Sequence, residues 1–213
     1  DKPIASFVND SSYQDNPTYR SVSDALQRVH ERSLFFASIV TYGVGRVGHM
    51  RWVADLGFHA SEAIAIGTAI GSFLKPTIGR IRPYAVEGES PFIFKPGRGY
   101  TEGQYRAFPS LHEIGSFAAA AVLTEETRRA YPDKAIYVGI FSYGVAGLVG
   151  VARIYTGQHW ASDVVMGSAM GAFIGKRVVD YAHSRARSRV DRWFLGARAM
   201  PDGSTALVLE RQF

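Results

Sequence analysis

Arginine, histidine and aspartate recur within one short stretch of the chain, residues 153–163. Arg153 precedes His159 by six positions, and Asp163 follows His159 by four. If a helix begins near His159, the histidine and the aspartate lie on one face of it, because residues four apart are helix neighbours. The carboxylate then accepts a hydrogen bond from one imidazole nitrogen and leaves the other free as a base, a nucleophile or a ligand. Arg153 adds a planar, permanently charged fork that suits an oxyanion such as phosphate, although solvated helix pairs have the same spacing.

Two other stretches supply groups that this one lacks. Residues 75–83 carry three cations and end on a proline, and residues 108–112 carry a hydroxyl and a second histidine just after a proline. Phosphoryl transfer needs positive charge around the non-bridging oxygens, a nucleophile, and an acid for the leaving group. The three stretches together offer a candidate for each need. The candidate residues are Lys75, Arg82, Ser110, His112, Arg153, His159 and Asp163.

The order and spacing of these motifs resemble the type 2 phosphatidic acid phosphatase superfamily, which also contains bacterial class A acid phosphatases and vanadium-dependent haloperoxidases. The family pattern is Lys, six residues, Arg-Pro; then Pro-Ser-Gly-His; then Ser-Arg, five residues, His, three residues, Asp. The resemblance covers residues 75–163, with Leu111 in place of the usual glycine and Ala152 in place of the usual serine. The matching positions are Lys75, Arg82, Pro83, Pro109, Ser110, His112, Arg153, His159 and Asp163.

The resemblance implies an all-α fold, a compact helical bundle of the phosphatidic acid phosphatase and vanadium haloperoxidase kind. A turn at residues 201–203 and a strand-like run at residues 206–209 add a short extended C-terminal tail. The resemblance also implies a phosphatase for phosphomonoesters or pyrophosphates, with lipid-linked esters as the leading substrates and no metal ion or other cofactor. His159 would attack phosphorus to form a phosphohistidine, Asp163 would orient it, and His112 would serve as general acid and then general base. The implied phosphate-holding groups are Lys75, Arg82, Ser110, Arg153 and the backbone N–H of Leu111.

Other classes of function remain open from the sequence. A soluble, nonspecific acid phosphatase has the same motifs, and a vanadate-dependent haloperoxidase uses the same kind of anion pocket. A metal-dependent hydrolase would use His112, His159 and Asp163 as ligands, since these are residue types that bind zinc. A non-enzymatic binder of anionic lipid would need only basic and apolar surface. Loss of activity without loss of lipid binding on His159→Ala separates an enzyme from such a binder.

The elements that must position these groups are helices, with apolar residues recurring at helical spacing. We predict one domain over residues 1–213, with an irregular arm at 1–20 and an extended tail at 199–213. Ser110 and Glu113 have the spacing of a capping box at a helix start, and the aromatic connection over residues 84–108 is expected to pack over a site. His59 is expected in the exposed first turn of its helix. The predicted helices run from Ser21 or Ser23 to about residue 43, and over residues 58–74, 111–130, 134–152 and 159–184.

Composition bounds the partners and the location. The 213-residue chain has a net charge of +5, which favours anionic partners. It has no cysteine, which excludes thiol chemistry. Basic residues are not interleaved with aromatics in dense runs, so nucleic acid is not an expected partner. Residues 176–198 carry charge +5 and are a solvated helix end or a contact to a membrane surface.

One stretch is apolar enough to raise the question of membrane insertion. Residues 135–152 form an uncharged run of 18 residues, at the lower edge of what spans a bilayer. We interpret this run as a soluble helical core, with membrane association left open. Because the chain begins at Asp1 rather than methionine, we expect a removed signal peptide and a periplasmic or exported protein.

Overall fold

The chain folds as a helical bundle, which confirms the predicted fold class. The structure is a computed structural model that describes residues 1, 3–4, 16–86, 90–184, 193–199 and 205–211, the last two ranges by their backbone. Within these ranges the α-helices are α1 (Pro17–Gln27), α2 (Glu31–Val47), α3 (Arg51–Ile78), α4 (Leu111–Ala130), α5 (Ala135–Tyr155) and α6 (Ala161–Ser184).

Beyond the helices, the chain forms a two-stranded hairpin. Strand β1 (Trp193–Ala199) pairs antiparallel with strand β2 (Thr205–Arg211). Residues 199 and 205–211 of the predicted extended tail lie in this hairpin, which begins at Trp193. Residues 200–204 and 212–213 of the predicted tail lie outside the described residues.

The first predicted helix is two helices, and the predicted irregular arm is wrong for residues 17–20. Helix α1 begins at Pro17, where the Asn16 side chain accepts a hydrogen bond of 2.9 Å from the backbone N–H of Thr18. Helix α2 begins after His30, whose Nδ1 accepts from Ser33 N while Ser33 Oγ accepts from His30 N. This reciprocal pair is a capping box, and it interrupts a continuous apolar pattern at residues 28–30.

Helix α3 is longer than predicted at both ends. It begins at Arg51, so His59 lies in its third turn and is buried, and the predicted exposed position of His59 is wrong. It ends at Gly79, which adopts a left-handed conformation with φ of 66° and donates its N–H to Lys75 O. A glycine C-cap of this kind closes a helix without steric strain. This helix end places Lys75 in the last turn of α3.

Glycines along one face of α6 let it lie directly against α4. A Cβ at Gly167, Gly171 or Gly175 would come within 2.4–2.6 Å of a backbone oxygen of α4. As the glycines advance along α6, the residues that they contact advance from Ser110 to Ala118, so α4 and α6 run parallel. Helix α3 runs antiparallel to both, and the three helices share the main apolar core. That core contains Ala60, Ala63, Ile64, Ala118, Val122, Val178 and Val179.

This arrangement brings three helix ends together. The C-terminal end of α3 meets the N-terminal ends of α4 and α6, where the first turns leave backbone N–H groups without intrahelical partners. The opposite end of the same three helices carries the N-terminal turns of α3 and the C-terminal turns of α4 and α6. The two ends are roughly 20–30 Å apart, at 1.5 Å per helical residue.

Helix α5 covers residues 135–152, which the sequence predicted as a soluble helical core, and it is buried on one side and exposed on the other. Within the described residues, the segment Pro132–Tyr155 is long and apolar enough to cross a membrane, judged by length and composition. Several large apolar side chains on it are more than half exposed, including Ile136, Tyr137, Phe141 and Val151. Further exposed apolar side chains lie on α2, α3 and α6. They include Phe36, Val40, Val44, Val47, Phe73, Val165 and Phe173.

Candidate active site

A cavity of about 460 Å³ opens where the three helix ends meet. Most of the predicted site residues line it, although they come from separate elements of the chain. Glu31, Ser72, Pro76, Tyr100 and Arg106 complete the lining. The predicted residues in the lining are Lys75, Arg82, Leu111, His112, Arg153 and His159.

The connection between α3 and α4 contributes to the cavity wall. It contains three short 3₁₀ helices, Pro83–Ala85, Arg98–Tyr100 and Gly103–Tyr105, and Tyr100 and Arg106 line the cavity. Packing of the whole aromatic segment over a functional site stays a prediction.

The three cations predicted for the site all line the cavity, together with Arg106. Lys75 is 6% exposed and donates a hydrogen bond of 2.9 Å to Arg106 O. Burial, followed by the charge of Arg82, lowers the pKa of Lys75 to about 7. Arg82 donates to Gln158 Oε1, and Arg153 donates to Gln27 Oε1 at 3.2 Å. Because positive groups held close together in low-dielectric surroundings repel one another, the field in this cavity favours an anion.

His159 is 2% exposed and neutral. Its pKa lies well below the usual value because of burial, with Lys75 and Arg153 adding to the effect. Its Nδ1 lies 3.6 Å from Asp163 Oδ2, longer than a hydrogen bond. His159 and Asp163 are therefore close, as predicted, but they do not form a hydrogen bond. The Nδ1 atom makes no hydrogen bond with the described residues. A neutral imidazole with an available lone pair is the form that acts as a nucleophile or base.

Asp163 is fully buried and is held by groups other than His159. Its Oδ2 accepts from the backbone N–H of Trp160 at 2.8 Å, and its Oδ1 accepts from Arg80 Nη1 at 2.5 Å. Burial raises the pKa of Asp163, with Arg80 opposing that effect. Helix α6 begins at Ala161 rather than at His159, so the carboxylate caps the helix start.

Arg80 is a residue of the site that sequence reasoning missed. It is 3% exposed, and besides Asp163 its guanidinium reaches Ser162 Oγ and the carboxylate of Asp1. The guanidinium fork thus fixes the acid behind His159 rather than facing the cavity. Arg80 is the middle of the three cations in residues 75–83, but its partner Asp163 lies 83 positions away in the sequence.

His112 lies in the first turn of α4 with its side chain 20% exposed. Burial, then Arg153 and Lys75, lowers the pKa of His112 to about 3. Its Nδ1 lies 3.7 Å from Glu31 Oε2, and its ring lies edge-on to that of His30 at 6.1 Å. Neither Glu31 nor His30 belonged to the predicted site. The acidic neighbour favours the protonated form of His112 once negative charge enters the cavity.

Ser110 occupies the N-cap position of α4, but the predicted capping box is wrong. The Ser110 hydroxyl is fully buried and makes no hydrogen bond with the described residues. The Ser110 N–H donates to Asp163 O at 3.1 Å, which ties the start of α4 to that of α6. Glu113 accepts instead from Ser168 Oγ at 3.1 Å, and burial raises the pKa of its carboxyl to about 8.

Leu111, which replaces a smaller residue of the family pattern, fits because its neighbour is a glycine. A Cβ on Gly71 of α3 would lie 2.4 Å from Leu111 Cδ2. The leucine side chain therefore occupies the space beside Gly71, and its backbone keeps the helix-start position. Ala152, the other departure, is buried within α5.

The three side chains of the metal-dependent alternative do not gather as ligands. Among the described residues, the group of at least three ligand atoms within 4.8 Å of one another is His59, Glu126 and His183, at the other end of the helices. The cavity end is instead defined by cations and two histidines. The fold and the site together define a class of protein: a helical bundle with an anion pocket lined by cations and two histidines.

The family follows from comparison with known proteins. The model of the PAP2 superfamily matches residues 57–187, more than half of the chain. The protein therefore belongs to the PAP2 superfamily, which confirms the family resemblance carried by the three motifs.

Individual relatives are similar over part of their length. The chain is 29% identical over 154 residues to the lipid A 1-phosphatase of Rhizobium johnstonii, covering 66% of this chain and 58% of that protein. It is 28% identical over 138 residues to the lipid A 4'-phosphatase of Bacteroides thetaiotaomicron, covering 63% and 58%. The chain thus spans a little under three fifths of the length of these two relatives.

A solved structure shares the fold. The crystal structure of a transmembrane PAP2 type phosphatidylglycerolphosphate phosphatase from Bacillus subtilis matches with a TM-score of 0.62 at 20% identity. The match covers 87% of this chain and 94% of that one.

Proposed function

We propose that the protein is a membrane-associated phosphatase that removes a terminal phosphate from a lipid phosphomonoester or pyrophosphate. The observation that carries the proposal is the convergence of Lys75, Arg82, Arg153, His112 and His159 on one cavity. Its volume of about 460 Å³ lies within the range of small-molecule sites. The cavity therefore suits a phosphate group together with part of the molecule that carries it.

The lipid nature of the substrate is supported by two independent observations. Relatives are lipid A phosphatases, and a solved structure of the same fold is a phosphatidylglycerolphosphate phosphatase. The chain also exposes many large apolar side chains on α2, α3, α5 and α6. Exposed apolar side chains grouped on neighbouring helices are typical of an interaction surface. A membrane supplies both the cover for that surface and the substrate.

In the first step, His159 acts as the nucleophile. Its Nδ1 lies on the side of Asp163, so Nε2 attacks phosphorus while Nδ1–H turns to the carboxylate. The N–P bond forms as the P–O bond to the leaving alcohol breaks. Lys75, Arg82 and Arg153 hold the non-bridging oxygens, and positive charge there stabilises the transition state. Asp163 then stabilises the positive charge that develops on the ring.

His112 supplies and recovers the proton. It donates to the departing alkoxide oxygen in the first step, and in the second step it takes a proton from the water that attacks the phosphohistidine. Because the surrounding cations lower its pKa to about 3, His112 needs the negative charge of the substrate to hold that proton. Glu31 at 3.7 Å assists the protonated form. Phosphate then leaves, and His159 is restored to its neutral form.

The test is phosphate release from a panel of substrates by the purified full chain in detergent micelles. The panel sets lipid phosphomonoesters and lipid pyrophosphates against soluble phosphate esters of the same leaving-group type. We expect lipid esters to be hydrolysed and His159→Gln to abolish release, while His49→Asn, at an exposed histidine outside the cavity, keeps it. Preference for soluble esters would favour the nonspecific acid phosphatase, and no release from any ester by a folded protein would refute the proposal.

Membrane association has its own test, and part of its basis lies outside the described residues. Lys176 pairs with Asp180 at 3.1 Å, whereas residues 185–192 of the basic region 176–198 are not described. Contact of that region with a membrane surface stays a prediction, as does a periplasmic or exported location. Recovery of the protein in the membrane fraction after a high-salt wash would support apolar attachment, because salt screens charge contacts alone.

A further inference from the structure

The end of the α3–α4–α6 bundle opposite the cavity carries a second cluster of histidine and carboxylate. His59 comes from α3, Glu126 from α4 and His183 from the last turn of α6. Glu126 Oε1 lies 2.7 Å from His59 Nδ1 and 2.9 Å from His183 Nε2. The three potential ligand atoms all lie within 4.8 Å of one another. Three separate helices thus direct two nitrogens and one oxygen to one point.

The spacing of these atoms is close to that of a metal site. Tetrahedral zinc with bonds of about 2.0–2.2 Å separates its ligand atoms by roughly 3.3–3.5 Å. The two measured separations from Glu126 Oε1 are 2.7 and 2.9 Å, so an ion requires the groups to move apart by roughly half an ångström. Rotation of the His183 side chain, which is 31% exposed, lengthens the 2.9 Å separation. The 2.7 Å separation lengthens by a shift of the Glu126 carboxylate relative to His59, both of which are nearly buried.

The charge of the cluster also suits a cation. Asp55 lies one turn before His59 on α3 and interacts electrostatically with His59, Glu126 and His183. Two carboxylates and two neutral imidazoles carry a charge of −2, which matches a divalent ion. The three protein ligands leave the fourth position of a tetrahedral ion to a water molecule. Arg51, near Asp55, is the neighbouring cation, and it is exposed.

The backbone behind the cluster is fixed. The indole Nε1 of Trp52 donates to Glu126 O at 3.2 Å, and the rings of His59 and His183 meet edge-on at 5.5 Å. Side chains whose orientation is set by packing and by further hydrogen bonds are the ones that hold a metal with useful affinity. A ligand set of two imidazole nitrogens and a carboxylate oxygen favours zinc over magnesium or calcium, which prefer oxygen ligands alone.

We propose that His59, Glu126 and His183 bind a divalent transition metal of the zinc class, which ties the end of α6 to α3 and α4. The site is structural, lies roughly 20–30 Å from the phosphate pocket by helical rise, and does not depend on the proposed phosphatase activity. Binding changes no oxidation state. The ion binds the lone pairs of His59 Nδ1 and His183 Nε2, so each neutral imidazole carries its proton on its other ring nitrogen in the bound state.

Zinc binding to the full chain tests the proposal directly. The protein is purified in detergent with an affinity tag free of histidine, stripped with chelator, and titrated with zinc chloride by calorimetry. Cobalt(II) serves as a spectroscopic probe of coordination. We expect one equivalent of zinc to bind and the midpoint of thermal unfolding to rise with zinc concentration, because an ion that binds only the folded state stabilises it.

Variants assign the ion to the cluster. His183→Gln changes a part-exposed side chain and carries little risk to folding, and we expect it to weaken zinc at least about tenfold. His49→Asn and His159→Gln are expected to bind zinc as the native chain does. If the folded native chain binds no stoichiometric zinc, or if His183→Gln binds it unchanged, the cluster is a hydrogen-bonded network only. Loss of binding in His159→Gln with retention in His183→Gln would place the ion in the phosphate pocket and also overturn the proposal.

Discussion

The two ends of the α3–α4–α6 bundle carry the same residue types in opposite electrostatic settings. At the cavity, burial and neighbouring cations such as Lys75 lower the pKa values of His112 and His159. At the other end burial also lowers the pKa of His59, but the hydrogen bond and charge of Glu126 outweigh it, so that pKa is raised. Burial alone therefore does not decide what a histidine does. The sign of the charge around it makes one end fit for an anion and the other for a cation.

The carboxylates differ in the same way. Glu126 contacts its two histidines directly, at 2.7 and 2.9 Å. Asp163 stands 3.6 Å from His159 and is fixed by Arg80 and a backbone N–H instead. Asp163 is thus held in place independently of His159, and in the proposed mechanism it receives the Nδ1–H of His159 and leaves Nε2 free to attack. An acid shared by two histidines pins three helices together.

The largest expected effect is on stability, through the group that holds Asp163. Arg80→Gln leaves a fully buried carboxylate without its cation, and we expect a loss of about 3–5 kcal/mol in the free energy of unfolding. Arg98→Gln is the matched control, because the ion pair of Arg98 with Glu102 is exposed and such pairs contribute about 0–1 kcal/mol. Denaturant unfolding in detergent measures both, and equal small losses would show that Arg80 is not the support of Asp163.

The next effect is on turnover. Asp163→Asn keeps an oxygen for the Trp160 N–H but removes the charge that supports cationic His159, and we expect kcat to fall by roughly 10²–10³-fold. Asp180→Asn, at the other end of α6, is the control and should leave kcat unchanged. Steady-state kinetics on an activated ester decide the outcome. Native turnover in a folded Asp163→Asn protein would make this aspartate a helix cap only.

A smaller effect concerns pH and tests the cationic end alone. Since the pKa of Lys75 is about 7, this lysine is largely neutral at higher pH and must take up a proton when an anion binds. If anion binding raises the pKa of Lys75, the affinity for the anion falls as the pH rises above the pKa of the unliganded protein, by up to about tenfold per pH unit. Tungstate inhibition measured above pH ~7 reads this slope, because the tungstate dianion does not titrate there. Lys75→Met should abolish the slope, and a flat native profile would contradict the lowered pKa.

The smallest expected effect tests how Leu111 is accommodated. Gly71→Ala places a methyl group within 2.4 Å of Leu111 Cδ2, and because the far end of a side chain can move we expect a loss of only about 1 kcal/mol. Leu111→Ala should relieve the closer of two clashes in the double variant and leave the one with Ile114 Cδ1 at 2.8 Å. Thermal unfolding of the two single variants and the double variant forms the cycle. Additive losses would mean that the two residues do not share the space.

The sequence predicted the parts of this structure that depend on local signals. Helix α4 has the predicted bounds, because Pro109 precedes it and Pro132 follows it, and both residues limit helices. The break between α1 and α2 was missed since it depends on a capping pair at His30, an unusual N-cap residue, within an unbroken apolar pattern. The start of α3 was placed seven residues late, and this error alone made buried His59 look exposed.

The candidate site was predicted in its residues but not in its supports. Fixed motif spacing named the groups that line the cavity, whereas Arg80, Glu31 and Gln158 act through partners from distant or unmarked positions. The cluster at the other end joins three helices at positions 59, 126 and 183, and no spacing rule links them. Long-range pairs of this kind emerge only when the helices are packed.

The most direct test of the account is capture of the phosphorylated intermediate. In His112→Ala, a nitrophenyl ester needs little acid to leave, but water activation is lost, so we predict a burst of nitrophenol and one acid-labile phosphate per protein on His159. Hydrolysis of an alkyl ester should fall further than that of the nitrophenyl ester, by roughly the 10²–10⁴-fold that a general acid contributes. His159→Gln should show neither burst nor label. Equal losses for both esters with no phosphate on His159 would contradict the account.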